Sequence, residues 1–359
     1  VKQSILHQKH LQAHAKISDI HGWQLPQQFS DLSDEYSAVR TAVGLFDLSF
    51  IGKIAIQGKD ALSLLQTVFT RNLSKLPEGN VQYSLACNET GGILDEGLLF
   101  HISDNRYFFT SNAMNTDKMT QWLQKHATGS VEITNRTKDF FQIGLQGPRS
   151  IQIIEALASP PFKKMKPRSV RKIHLAEIPL LISRTGFTGE HGYELFIAPE
   201  YAEAIWDILL NAGKNLGILP CGYAARDILR LEMGYRLYGN DITEEYTPFE
   251  AGLGSFVDFQ KDFIGKDALF KKSTEGVQQK LVGFELLDKG IPKAGNSIFS
   301  ENHEIGIVTS GGQSPSARKC IGFGYVATRY AQPGQEIEIE VKDREIAAKI
   351  VDLPFYRKK

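Results

Sequence analysis

The chain has 359 residues, too many for one ordinary core, so two or three domains are expected. Its 41 Lys+Arg and 41 Asp+Glu residues cancel, which argues against wholesale attraction to nucleic acid or an anionic membrane. No apolar run approaches the roughly 18 residues that a membrane span needs, and Cys87, Cys221 and Cys320 are scattered, with no CxxC pair to suggest a disulfide framework or a zinc site. The opening "VKQSILHQKHLQAHAK" lacks the apolar centre of a secretory signal, so a cytoplasmic protein is expected; with no initiator Met, a trimmed leader stays open.

In chain order, Ser33 is placed to cap a helix through "DEYSAVRTAV", with Gly44 placed to end it. "KIAIQGKDALSLLQ" (53–66) reads as a strand, a glycine turn and a helix. The same cadence returns in "FQIGLQGPRSIQIIEAL" (141–157), and "GKDAL" of 58–62 recurs at 265–269, consistent with an old duplication or with a common local pattern. In "PEYAEAIWDILLNAG" (199–213), Ala202, Ile205, Trp206 and Leu209 share one side of a helix, with Gly213 as its stop; the stripe reads as packing. "YAARDILRLEMGYRLYG" (223–239) reads as another helix. Beyond about residue 277 the chain turns to short strands, and Ile337, Ile339 and Val341 alternate with glutamates in "EIEIEVK". An all-β C-terminal module, barrel or sandwich, is expected.

Three stretches carry candidate chemistry. In "NETGGILDEGLLF" (88–100), Gly91-Gly92 reads as a hairpin turn, yet Asp95, Glu96 and Gly97 interrupt the strand that follows. Alternation puts Ile93, Asp95, Gly97 and Leu99 on one face, so the missing side chain at Gly97 would leave room for a ligand beside the Asp95 carboxylate. A capped or paired Asp95 with Gly97 as a bulge reads equally well. In "RTGFTGEHGYELFI" (184–197), three glycines in seven residues make a tight loop whose backbone could approach a ligand, with Glu194 in the strand behind it. The spacing is not a dinucleotide fingerprint, and His191 beside Glu190 lacks the second cluster that a metal would need. Arg226, near the start of its helix, either pairs with Asp227 or Glu232 or offers its planar fork to an acceptor-rich ring.

Taken together these stretches resemble the aminomethyltransferase (T-protein) family of the glycine cleavage system. The resemblance rests on "EYSAVRTAVGLFDLS" (35–49), "NETGGILDE" (88–96), "SNA" (111–113), "RTGFTGEHGYE" (184–194), "AARDILRLEMGYRLYGNDI" (224–242), "TPFEAGL" (247–253) and "GIVTSGGQSPS" (306–316), in the family's order along nearly the whole chain. It implies an α+β, three-domain clover leaf with antiparallel sheets and a C-terminal β-barrel. The implied division is 1–50 with 135–230, then 51–134 with 231–276, then 277–359. It also implies transfer of an aminomethyl carbon from a lipoylated carrier protein to tetrahydrofolate, with release of ammonia. By the resemblance Asp95 is catalytic, and Glu194 and Arg226 hold the pterin ring. Tyr83, Asn112, Phe187 and Tyr235 match further lining positions, Phe187 standing where a tyrosine is common. No metal, nucleic acid or membrane partner is implied.

Departures from the family pattern lie at Phe50 and Ile51 ("FDLSFIG" for "FDxSHMG"), Glu96, Gly97, Ser255 and Lys293. They leave two alternatives: a tetrahydrofolate-dependent demethylase of a small methylated compound, and a folate-binding accessory protein. Relatives of the second kind carry a cysteine in "KGCYxGQE", where this chain reads "KDFIGKDA" (261–268).

Overall fold

The computed structural model describes residues 1–358 and divides into two compact units. The first comprises residues 1–65, 73–84 and 97–227; the second comprises 66–72, 85–96 and 228–359. Among the described residues no helix is long and apolar enough to cross a membrane.

The first unit is built on a seven-stranded sheet in the order Ala158–Ser159, Val170–Leu175, Ile178–Ser183, Gly192–Ile197, Phe141–Gln146, Val43–Asp47 and Ile218–Pro220. All pairs are antiparallel except the last. The apolar stripes of the Ser150–Leu157 and Ala202–Gly213 helices pack on it, so that Ile153, Ile154, Ala202, Ile205, Trp206 and Leu209 join Leu45, Ile143, Leu145 and Leu195 in one buried core. A five-stranded sheet runs Asn80–Cys87, Ile93–Ser103, Arg106–Ser111, Gly52–Gln57, Glu132–Asn135; the ends of its first two strands fall in the second unit.

The repeated strand-glycine-helix cadence has one geometry in both places. The strands Gly52–Gln57 and Phe141–Gln146 each end on a glycine, Gly58 at φ +127° and Gly147 at φ +134°, a region open to glycine alone. Each glycine N–H donates to the residue before the antiparallel partner strand, Asn105 at 3.0 Å and His191 at 2.6 Å. The helices Ala61–Val68 and Ser150–Leu157 follow. This shared geometry supports an internal repeat. The second "GKDAL" lacks the strand: Gly265, at φ +84°, opens the Lys266–Glu275 helix directly.

Two helix limits differ from expectation. The first helix is Leu32–Thr41, entered from Asp31, and Gly44 lies in the next strand. Gly44 is small for packing: a Cβ there would sit 2.4 Å from a Val39 methyl and 3.0 Å from Cys221 Sγ. The later helix is Tyr223–Glu232, and Gly234, at φ +73°, turns the chain away from it.

In the second unit, Gln279–Leu286, Lys319–Ala327, His303–Ser314, Ser297–Ser300, Glu336–Glu340 and Glu345–Val351 close into a six-stranded barrel around Phe284, Ile298, Ile337, Ile339 and Ile350. Asp241 ties the barrel to the chain before it. It accepts from Thr309 and Ser310 at 2.6 Å each, from the Leu237 amide at 2.9 Å and from the buried Arg230 guanidinium. This is a satisfied buried network, in which removing one partner would strand the rest.

Candidate folate site

Phe187 and Glu194, predicted from one stretch, come together with Arg226, predicted from another, in the first unit. The Glu194 carboxylate is buried in the Gly192–Ile197 strand. It accepts from the Thr185 hydroxyl and, at 3.4 Å, from Gln142 Nε2. Burial holds its pKa above the ordinary carboxylate range, against the Thr185 hydrogen bond and the positive charges of Arg226 and Lys53. A carboxylate offers about four lone-pair positions, and protein donors take two here. Gln142 Oε1, buried beside it, has no partner among the described residues. The cluster therefore leaves acceptors unfilled.

The Arg226 guanidinium lies 4.5 Å from the Phe187 ring centroid and 5.9 Å from that of Phe50, which packs edge-on to Tyr223. A cation over an aromatic face is held there by the ring's quadrupole. Phe50, a departure from the family pattern, thus lies against the arginine. Glu232, further along the same helix, accepts from Ser314 and Ser316 at 2.5 and 2.7 Å.

The motif at 35–49 sets these groups in place. Glu35 accepts from the amides of Phe29 (2.6 Å), Ser30 (2.8 Å) and Gly222 (2.7 Å), fixing the entry of the helix that carries Arg226. Arg40 donates to the Thr188 carbonyl at 2.6 Å and pairs with Glu190 at 3.3 Å, holding the loop that carries Phe187. Asp47, buried, accepts from Ser49, His10 and Ser4; burial alone would raise its pKa, but the His10 contact and the two hydroxyls hold it below its ordinary value.

The glycine loop is tight for a different reason from the one expected. Cβ atoms on Gly186 and Gly192 would meet the Gln146 side chain at 2.1 and 2.5 Å. Gln146 donates to the Thr185 and Tyr193 carbonyls at 3.2 Å each and accepts from Thr188 Oγ1 at 3.1 Å. Those glycines make room for a buried amide, which in turn fixes the loop. His191 lies on the Arg184 guanidinium at 3.0 Å, and among the described residues no group of three or more His, Cys, Asp or Glu could hold a metal.

Sequence reasoning missed Lys53. Its ammonium is fully buried and donates at 2.9 Å to the Ser49 carbonyl, the one acceptor it has among the described residues. Burial lowers its pKa to about 7, although Asp47 and Glu194 both pull it upward. Gln142 was missed too; its only sequence signal is a polar residue inside an apolar strand.

In the second unit, Asn88 accepts at its side-chain oxygen from the Thr90 and Gly92 amides at 3.1 and 2.9 Å and closes the hairpin turn. Ile93 donates to the Tyr246 carbonyl at 3.0 Å, and the strand continues into Asp95 and Glu96, both buried. Gly97 leaves no space for a ligand: a Cβ there would lie 1.8 Å from the Thr110 carbonyl oxygen, so close strand packing requires the glycine. Tyr235, in the second unit, is partly exposed, while Tyr83 and Asn112, in the first, are half-buried.

Family models match along the chain in order: the GCVT N-terminal domain over residues 6–261 and the glycine cleavage T-protein C-terminal barrel domain over 279–357. The chain belongs to the glycine cleavage T-protein family. An aminomethyltransferase of Geobacillus sp. is 43% identical over 96% of this chain and 95% of its own length. One from Caldanaerobacter subterraneus subsp. tengcongensis is 41% identical over 100% of this chain and 96% of its own. The crystal structure of glycine cleavage system aminomethyltransferase T from Bartonella henselae superposes with a TM-score of 0.93 at 30% identity, covering 99% of this chain and 98% of that one.

Proposed function

We propose that this chain is the aminomethyltransferase of glycine cleavage. It moves the aminomethyl carbon from the sulfur of a lipoylated carrier protein to tetrahydrofolate, releasing ammonia and leaving 5,10-methylenetetrahydrofolate. The observation that carries the reading is end-to-end similarity to aminomethyltransferases across both family models. The Glu194 cluster fits a pterin. Unfilled acceptors on Glu194 and Gln142 suit the ring's amino and N–H donors, and Arg226, held over Phe187, suits its oxygen and nitrogen acceptors. Tyr83, Asn112 and Tyr235 complete the proposed folate contacts.

Asp95 is the proposed catalytic carboxylate. Its charge positions the folate nitrogens and offsets positive charge on the carbon as that carbon changes partners, an effect that can lower a barrier by about 3 kcal/mol. We retain the proposed domains of 1–50 with 135–230, 51–134 with 231–276, and 277–359. The reading includes a cytoplasmic location, in keeping with the bacterial aminomethyltransferases that the chain resembles.

The test is a single turnover of protein, tetrahydrofolate and aminomethylated carrier, following ammonia and 5,10-methylenetetrahydrofolate together. Equal amounts of both support the reading. Neither product, from protein that binds folate, overturns it in favour of a demethylase.

A further inference from the structure

In a chain of zero net charge, one surface segment is strongly one-signed. Between Glu155 and Glu177 there is no acidic residue, while Lys163, Lys164, Lys166, Arg168, Arg171 and Lys172 fall within ten positions. Lys163, Lys164, Lys166, Arg168 and Lys172 are exposed, and none has an ion-pair partner among the described residues. The backbone beneath them is fixed. Arg168 sits at φ +58°, a region most side chains avoid, held by its amide donating to the Arg184 carbonyl at 3.0 Å and its carbonyl accepting from Val81 at 2.8 Å. The Arg184 guanidinium donates to the Met165 carbonyl, that of Arg171 to the Lys163 carbonyl, and Arg171 stacks on Phe162 at 4.6 Å.

These same hydrogen bonds join the ridge to two segments that carry candidate site residues. On one side it is joined through Gly79 and Val81 to the strand bearing Tyr83; on the other, through Arg184, to the loop bearing Phe187 and the strand bearing Glu194.

We propose that the Lys163–Lys172 ridge is the docking face for the protein that delivers the one-carbon unit, which meets it with an acidic surface. The inference rests on the reaction proposed above, in which the donor is protein-borne. A cluster of unpaired cations beside a site raises encounter rates with an acidic partner and selects its orientation, and salt weakens both effects. The chain as a whole has zero net charge, so outside these six cations acidic residues outnumber basic ones, which disfavours a long polyanion.

The experiment compares wild type with the triple variant Lys163→Glu, Lys164→Glu, Lys166→Glu, and with a control reversing Lys271, Lys289 and Lys349, all exposed in the second unit. Each is assayed with carrier-bound donor and with free aminomethyl-dihydrolipoamide. The ridge variant should raise KM for the carrier at least about tenfold, flatten its salt dependence, and leave kcat at saturating carrier and turnover of the free donor unchanged. The control should behave as wild type. An unchanged carrier KM in the ridge variant, with wild type active on both donors, overturns the docking face alone. Wild type inactive on both donors overturns the reaction itself, and the docking face with it. Tighter binding of a single-stranded oligonucleotide than of the carrier at physiological salt would also overturn it.

Discussion

Replacing Lys53 with methionine should make the protein more stable and a worse folate binder. The ammonium is fully buried and has one hydrogen-bond acceptor. Holding a lysine at a pKa of about 7 instead of 10.5 costs the folded state about 5 kcal/mol when the group is charged in both folded and unfolded chains. The sign follows from proton counts. Below pH 7 both states carry the proton and the full cost applies. Between pH 7 and 10.5 the unfolded chain holds a proton that the folded chain has released, so wild-type stability rises with pH. Methionine keeps the stem and removes the ammonium. Lys53→Met should therefore be more stable by about 2–5 kcal/mol at pH 6, with the gain shrinking steadily above pH 7.

The functional effect has the opposite sign. Glu194 loses one of the two positive charges that favour its ionised form, so its raised pKa rises further. The carboxylate proposed to accept from the ring is then protonated over more of the pH range, and folate affinity should fall away at a higher pH than in wild type. Urea denaturation from pH 6 to 10, beside folate titrations over the same range, measures both. A variant less stable than wild type at pH 6, or a gain independent of pH, would refute the reasoning.

Four further outcomes follow from particular contacts. Asp95→Asn, nearly isosteric, should cut turnover at least about tenfold while folate still binds; unchanged turnover removes Asp95 from the reaction. Arg226→Lys keeps the charge but loses the planar guanidinium fork beside Phe187, so folate affinity should drop about tenfold or more by titration, with a smaller effect on kcat. Gly97→Ala drives a Cβ into the Thr110 carbonyl and should cost about 3 kcal/mol in denaturant unfolding; a loss under about 0.5 kcal/mol would mean the strands part without penalty. Asp241→Asn, which removes the buried carboxylate charge that Arg230 meets, should cost about 3–5 kcal/mol in the same measurement.

Local signals in this sequence carried local structure well. Gly58 and Gly147 mark turns because a φ near +130° admits only glycine, and that need is visible wherever a strand pattern meets a helix pattern. The stripe of Ala202, Ile205, Trp206 and Leu209 was legible because burial of a helix face has a fixed period. Gly97, Gly186 and Gly192 show where such reading ends. A glycine says that something comes close, not what. At Gly97 it is a neighbouring carbonyl, and at the other two the Gln146 side chain; none of the three opens a path for a ligand.

Lys53 marks the limit most sharply. In the strand Gly52–Gln57, Ile54 and Ile56 form one face, and alternation assigns Lys53 to the other with Ala55 and Gln57. On that rule Lys53 belongs in water, and Gln57 at the far end of the same face is indeed exposed. Lys53 is buried because its end of the strand meets the Ser49 carbonyl and the field of Asp47 and Glu194. Asp47 is close in sequence, but Glu194 lies far along the chain, and no window of sequence contains both it and Lys53. A period can report which face a residue takes, but not that a distant acidic group has made that face the inside of a site.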